Sequence, residues 1–269
     1  MTVSPHALDA AVALTPAGAH RFTGHTHPAY SNMVGPFGGT IAATLLNGVL
    51  SHPERLGDPL SLTVHYAAPI TDGAFEVHAR PMRTNRSTQH WLVELRQGDA
   101  VAAFATVLTA VRRDTWGATD AVCPGVPSAE SLPRHPGVFR TEWPKAYDMR
   151  FTDGEQVLDN VVRDDAVTRV WLRDEPPRPL DFLALSAICD AFIPRVFVRR
   201  SRAVPAGTVT LTVYFHADAA LLAAQGTAHV LGCAKGLRYS QGFHDQTAEI
   251  WSAQGDLLAV GHQVVYFKE

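Results

Sequence analysis

One carboxylate in this chain of 269 residues stands where a carboxylate is hard to keep: Asp190, inside residues 179–194, where nearly every neighbour is apolar. Lost hydration penalises the charged form and raises the affinity for a proton, which is what a general base near neutral pH requires. The plainer alternative is that Asp190 turns to the rim of its helix and pairs with Arg195 or Arg199. A second feature is Gly35-Pro-Phe-Gly-Gly39, leading into the apolar run 40–50. A helix starting there leaves backbone N–H groups near Gly38 and Gly39 able to receive developing negative charge, although a tight turn explains the glycines equally well. The full G-x-G-x-x-G spacing is missing and no clear strand precedes it, which argues against a nucleotide site.

Other chemistries find little support. There is no G-x-S-x-G, H-E-x-x-H or Walker pattern. His65, His216 and His262 fall on predicted strands at spacings that suit no metal, and Cys123, Cys189 and Cys233 are scattered and odd in number. No metal and no cofactor are therefore expected, and the cysteines fit a reducing compartment. With 23 Lys+Arg against 26 Asp+Glu the net charge is -3, so no basic field points to nucleic acid or an anionic membrane. The first residues lack a basic start and a long apolar core, and no apolar stretch is long enough to span a bilayer; a cytoplasmic protein is expected.

Two apolar helices must position these residues. In 181–193, Asp181 supplies a capping oxygen and Pro194 is expected to end the helix at about the preceding residue. Both this segment and 40–50 are apolar on all sides, so each is to be enclosed by other elements. Residues 1–34 read as irregular. Strands are predicted at 61–70, 75–80, 89–96 and 101–111, then, beyond a Pro-rich aperiodic stretch, at 145–151, 166–172, 208–216, 246–251 and 257–267. The second series restates the first. Leu62-Thr-Val recurs as Leu211-Thr-Val, 149 residues on, and Gln97-Gly-Asp99 recurs as Gln254-Gly-Asp256, 157 on. A duplicated helix-plus-meander unit is the economical reading. Superposing the helices sets Asn47 opposite Asp190, and the 157-residue offset sets Thr106 opposite Gln263, so one half keeps an acid where its twin has an amide.

With this order of elements, Cys189-Asp-Ala-Phe192, a strand from Thr208 to Phe215-His216, and Gly261-His-Gln-Val264, the chain resembles the thioesterase II type of acyl-CoA thioesterase, the tandem double hotdog group. The resemblance implies an α+β fold in which each half wraps an antiparallel sheet around one long helix. Residues 1–112 would form the N-terminal hotdog, 113–140 a linker and 141–269 the C-terminal hotdog. It also implies that Asp190, Thr208 and Gln263 hold the water that attacks an acyl-CoA, with Thr210 and Thr212 as alternatives for the hydroxyl. Gly38 and Gly39 would then face the oxyanion, and Arg195, Arg199, Arg200 and Arg202 would attract the coenzyme A phosphates at the mouth. A hotdog dehydratase or hydratase, or a non-catalytic acyl-binding or scaffold protein, are the competing readings. A homodimer or larger even assembly is expected if exposed edge strands pair.

Overall fold

The structure is a computed structural model that describes residues 5–136, 141–155 and 157–269, so the end of the expected linker, 137–140, lies outside the described residues. The alternating patterns become long antiparallel strands. The N-terminal half contains α1 (Ala7–Ala11), β1 (Thr15–Pro16), β2 (Arg21–His25), α2 (Gly38–Leu50), β3 (Asp58–Tyr66), β4 (Ala74–Thr84), β5 (Thr88–Gln97) and β6 (Ala100–Ala110). The C-terminal half contains β7 (Tyr147–Asp153), β8 (Thr168–Asp174), α3 (Phe182–Ile188), α4 (Arg195–Arg200), β9 (Ala206–Phe215), α5 (Ala219–Gln225), β10 (Val230–Lys235), β11 (Tyr239–Ser240), β12 (Phe243–Trp251) and β13 (Leu257–Phe267).

All strands join one sheet in the order β1-β2-β4-β5-β6-β3-β9-β13-β12-β10-β8-β7, with β11 paired to β12. The order reads the same from both ends, element for element, about the β3–β9 seam. In that seam Thr63 pairs with Thr212, its own repeat-mate, and the two hydroxyls lie 3.1 Å apart. A local two-fold axis therefore passes between them. The symmetry extends to irregularities: β3 is bulged between Pro59 and Ser61, and β9 pairs Val265 with Thr208 and Val264 with Thr210, leaving Val209 as the extra residue.

The helices are apolar all round because sheet and helix enclose them. Buried side chains of α2, α3 and both halves of the sheet form one continuous core, and α2 lies so close to the sheet that a Cβ on Gly48 would meet Val77 at 2.7 Å. The segment after β6 crosses the outer face of the C-terminal half, where Ala129 packs with Trp171, Leu231 and Trp251. At its start, Arg112 donates to the carbonyls of Pro59, Phe215, His216 and Ala217, binding the ends of β3 and β9 together.

The structure differs from expectation at three places. Residues 1–34 are not wholly irregular, since α1 and β2 form there and β2 extends the sheet. Strand β10 and helix α5 were not predicted; β10 has six residues, carries Gly232 and lacks alternation. The Asp190 helix ends at Ile188, well before Pro194, which instead stands at the N-cap of α4.

Candidate active site

The early end of α3 is what aims Asp190. After Ile188 the chain tightens into shorter turns, Asp190 N–H donating to Ala187 O at 3.1 Å and Ala191 N–H to Ile188 O at 2.9 Å. Asp190 is thus lifted off the helix and buried, with 7% of its surface exposed. Its carboxylate does not turn to the rim towards Arg195 or Arg199. It meets the first turn of α2, where the Gly39 N–H favours its charged form, so the helix end that acts on it is a positive N-terminus. Glycine is required by this approach. A Cβ on Gly38 would stand 2.7 Å from Asp190 Oδ2, and one on Gly39 would stand 2.6 Å from Ala187 O.

The other carboxylate oxygen, Oδ1, accepts from Gln263 Nε2 at 2.8 Å, and Gln263 Oε1 accepts from Thr208 Oγ1 at 3.4 Å. Gln263 Nε2 also lies 3.4 Å from Cys189 O. These contacts fix the amide orientation: its oxygen faces the hydroxyl and its nitrogen the acid. The β9 bulge explains which threonine reaches the site. Leu211 and Thr208 both face inward although three residues apart, because Val209 is inserted between them, whereas Thr212 bonds to Thr63 across the seam. Burial pushes the Asp190 carboxyl up to about 7, while the Gln263 and Gly39 N–H groups pull it back down. Neighbouring Cys189 is raised further by burial and by Asp190, so its thiol stays protonated and is a poor nucleophile.

Sequence reasoning missed Tyr66. The last residue of β3, from the opposite half, it donates its hydroxyl to Gly38 O at 2.8 Å and lies beside Asp190. A signal existed in the repeat, which sets Tyr66 opposite Phe215, a ring of similar size without the hydroxyl.

The ladder corrects one proposed correspondence. Leu62 pairs with Val107 and its mate Leu211 pairs with Gln263, so Val107, not Thr106, is the counterpart of Gln263. Thr106 points outward because a one-residue slip reverses the face. In the same way Trp91, paired with Val107, stands where Gln246, paired with Gln263, stands in the second half. Asn47, opposite Asp190 in the repeat, spends its amide on structure: Nδ2 donates to Val12 O and Oδ1 accepts from Ser51. Apolar or structurally committed groups thus occupy the twin constellation.

Among the four arginines, Arg195 needs a larger correction. Arg195 is fully buried, and its guanidinium donates to Ile193 O, Ala166 O, Thr168 Oγ1 and Gln246 Oε1. It cannot meet a phosphate at a mouth, and burial without an acidic partner lowers it to about 10. Arg200 and Arg202 pair with Glu269 at the surface, and Arg199 O accepts from Arg163 N–H. His65 stacks on Phe104, His216 is lowered by burial and by Arg112, and His262 lies 3.9 Å from Asp245.

Two family models match successive stretches of the chain. Residues 27–111 match the acyl-CoA thioesterase N-terminal domain and residues 121–267 the acyl-CoA thioesterase C-terminal domain. A hot dog fold protein of unknown function from Alicyclobacillus acidocaldarius is 47% identical, with 99% of each chain covered and a TM-score of 0.94. The fold is shared with a putative thioesterase II from Thermobifida fusca, 20% identical over 99% of each chain with a TM-score of 0.86. It is also shared with acyl-CoA thioesterase II TesB2 from Mycobacterium marinum, 15% identical over 97% of this chain and 98% of that one, with a TM-score of 0.76. No curated protein matches the chain. With one family domain matched in each half, and the second alone spanning more than half its length, the chain belongs to the acyl-CoA thioesterase family.

Proposed function

We propose that this protein hydrolyses acyl-CoA to the free acid and coenzyme A, with Asp190 as general base. The observation that carries the reading is the hydrogen-bonded series Thr208–Gln263–Asp190, buried against the first turn of α2. A water beside Asp190 attacks the thioester carbonyl carbon while the carboxylate takes its proton. The tetrahedral oxyanion then collapses, the C–S bond breaks, and the proton passes from Asp190 to the departing thiolate. Gln263 and Thr208 hold acid and water in register, which lowers the entropic part of the barrier. An acid with affinity for a proton near neutrality suits both transfers. The Gly38 and Gly39 backbone is the proposed oxyanion-facing element, sharing the α2 N-terminus with the carboxylate.

The test is steady-state hydrolysis of a panel of acyl-CoA thioesters with thermal melts. Asp190→Asn keeps volume and relieves a buried charge, so it is expected to fold and to lose about 10²- to 10⁴-fold in kcat. Gln263→Ala removes one donor to the carboxylate and misplaces the water but leaves the base in place, so it costs less, and the double variant loses little beyond Asp190→Asn because both act on one water. An Asp190→Asn protein that melts normally and hydrolyses at the wild-type rate would falsify the reading.

The two halves are proposed as tandem hotdog units, residues 1–112 and 141–269, joined by 113–140; the palindromic strand order supports this. A cytoplasmic location is proposed with it; no helix among the described residues is long and apolar enough to cross a membrane. We further propose self-association into a homodimer or larger even assembly, but not through the edges. Edge strand β1 has two residues, and the edge of β7 is engaged where His135 N–H donates to Met149 O. The better surface is the outer face of the C-terminal half, which exposes Tyr214, Phe243, Val264 and Tyr266. Light scattering at micromolar concentration is expected to give an even multiple of the chain mass; a clean monomer removes the claim.

A further inference from the structure

The peptide group between Gly38 and Gly39 lies between two polar side chains. Its carbonyl, on Gly38, accepts from the Tyr66 hydroxyl at 2.8 Å, and its N–H, on Gly39, favours the charged form of Asp190, whose Oδ2 lies 2.7 Å from where a Cβ on Gly38 would stand. Both belong to one planar, resonance-coupled unit, so a donor on the oxygen strengthens the N–H as a donor. Tyr66 is also close in space: a Cβ on Gly38 would stand 3.4 Å from the Tyr66 hydroxyl and 2.7 Å from Asp190 Oδ2, so the two groups flank one point. Tyr66 comes from β3 in the N-terminal half and Asp190 from the C-terminal half. Its repeat-mate Phe215 has no hydroxyl and packs edge-on against Phe182 at 5.7 Å. The hydroxyl is therefore present on the side that carries the acid and missing on the side that does not.

We infer that Tyr66 is a positioning residue contributed across the β3–β9 seam, acting through the Gly38–Gly39 peptide to orient Asp190 and support its ionised form. The inference rests on the proposed role of Asp190 as base. Asp190 then has three supports from three elements: Gln263 on β13, Thr208 on β9 acting through Gln263, and Tyr66 on β3 acting through the first turn of α2. The remaining titratable groups facing it are Cys189 beside it and Tyr147 on β7, both buried and neutral. Without the Tyr66 hydroxyl the Gly39 N–H becomes a weaker donor and the carboxyl holds its proton more tightly.

The experiment follows the Asp190 carboxyl band by infrared difference spectroscopy through a pH titration of wild type and Tyr66→Phe, the band being identified by its absence in Asp190→Asn. Kinetics on an acyl-CoA and thermal melts accompany it. The expected result is a rise of about half a pH unit to one unit in the Asp190 midpoint, as for loss of one hydrogen bond. The acid limb of kcat/KM moves with it, and kcat falls about 3- to 10-fold with KM within about twofold. Tyr66→Met, close in volume and without a hydroxyl, takes the place of Tyr66→Phe if the latter does not fold. An unchanged midpoint in the folded variant overturns the inference. A wild-type protein that hydrolyses no acyl-CoA removes the functional reading alone, because the shift of the Asp190 band still upholds or overturns the coupling.

Discussion

Asp190 is balanced between burial, which favours its protonated form, and donors that favour the carboxylate. Burial dominates, and the group stands near neutrality. Because the proposed base acts only when ionised, kcat/KM is expected to rise with pH, with a midpoint at about 7, and to level off above it. A profile flat from pH 5 to 9 on a non-ionising substrate would count against Asp190 as the base. Of the residues at this site, Asp190 announces itself in the sequence as one acid in an apolar run, and Gly38 and Gly39 as a Gly-rich entry to an apolar helix. Gln263 and Thr208 are ordinary strand residues by type, and family resemblance alone singles them out. For Tyr66 the repeat marks only a hydroxyl that Phe215 lacks; its role was not legible because its partner, a glycine carbonyl, carries no side-chain signal, and because the contact forms only when the two halves meet.

At the scale of elements, local irregularity aims the chemistry. An α3 extended to Pro194 would keep Asp190 within the helix, and a β9 without its bulge would turn Thr208 to the outer face. Neither break was legible: Pro194 marks where a helix cannot continue but not where one stops earlier, and a bulge leaves no trace in a run of β-formers such as 208–215. The meanders were legible because alternation survives in each long strand, whereas β10 is too short to display it. The seam also depends on Arg112, whose guanidinium satisfies four carbonyls at the ends of β3 and β9. Arg112→Ala leaves partly buried carbonyls unpaired and is expected to cost about 2–3 kcal/mol of unfolding free energy. Chemical denaturation reads this directly; a loss under about 0.5 kcal/mol, the range of ordinary surface substitutions, would make the clamp incidental.

Across the whole molecule, two buried acids contribute one part of the response to pH. Asp174, in register with Tyr147 and 3.8 Å from Arg178, is also pushed up to about 7 by burial, and its Oδ1 has no hydrogen-bond partner among the described residues. Asp174 and Asp190 both hold a proton more tightly folded than unfolded, so between about pH 4 and 7 the native state binds more protons. Stability from these groups is therefore greatest below the unfolded value and falls as pH rises to about 7, by a few kcal/mol per group on the order-of-magnitude scale of linkage. Asp174→Asn is expected to flatten part of that decline and to raise the melting temperature at pH 8; an unchanged pH dependence would show that Arg178 already compensates the charge. The seam at Thr63 and Thr212 has a consequence for inheritance. Asp190 and Tyr66 reach one peptide group from opposite sides of it, although residues 113–136 between the halves carry no strand, which makes them a natural point for recombination. A crossover there between two diverged relatives would deliver two sound halves and a mismatched site, so lineages of this protein should pass on Tyr66 and Asp190 as a linked pair or lose both.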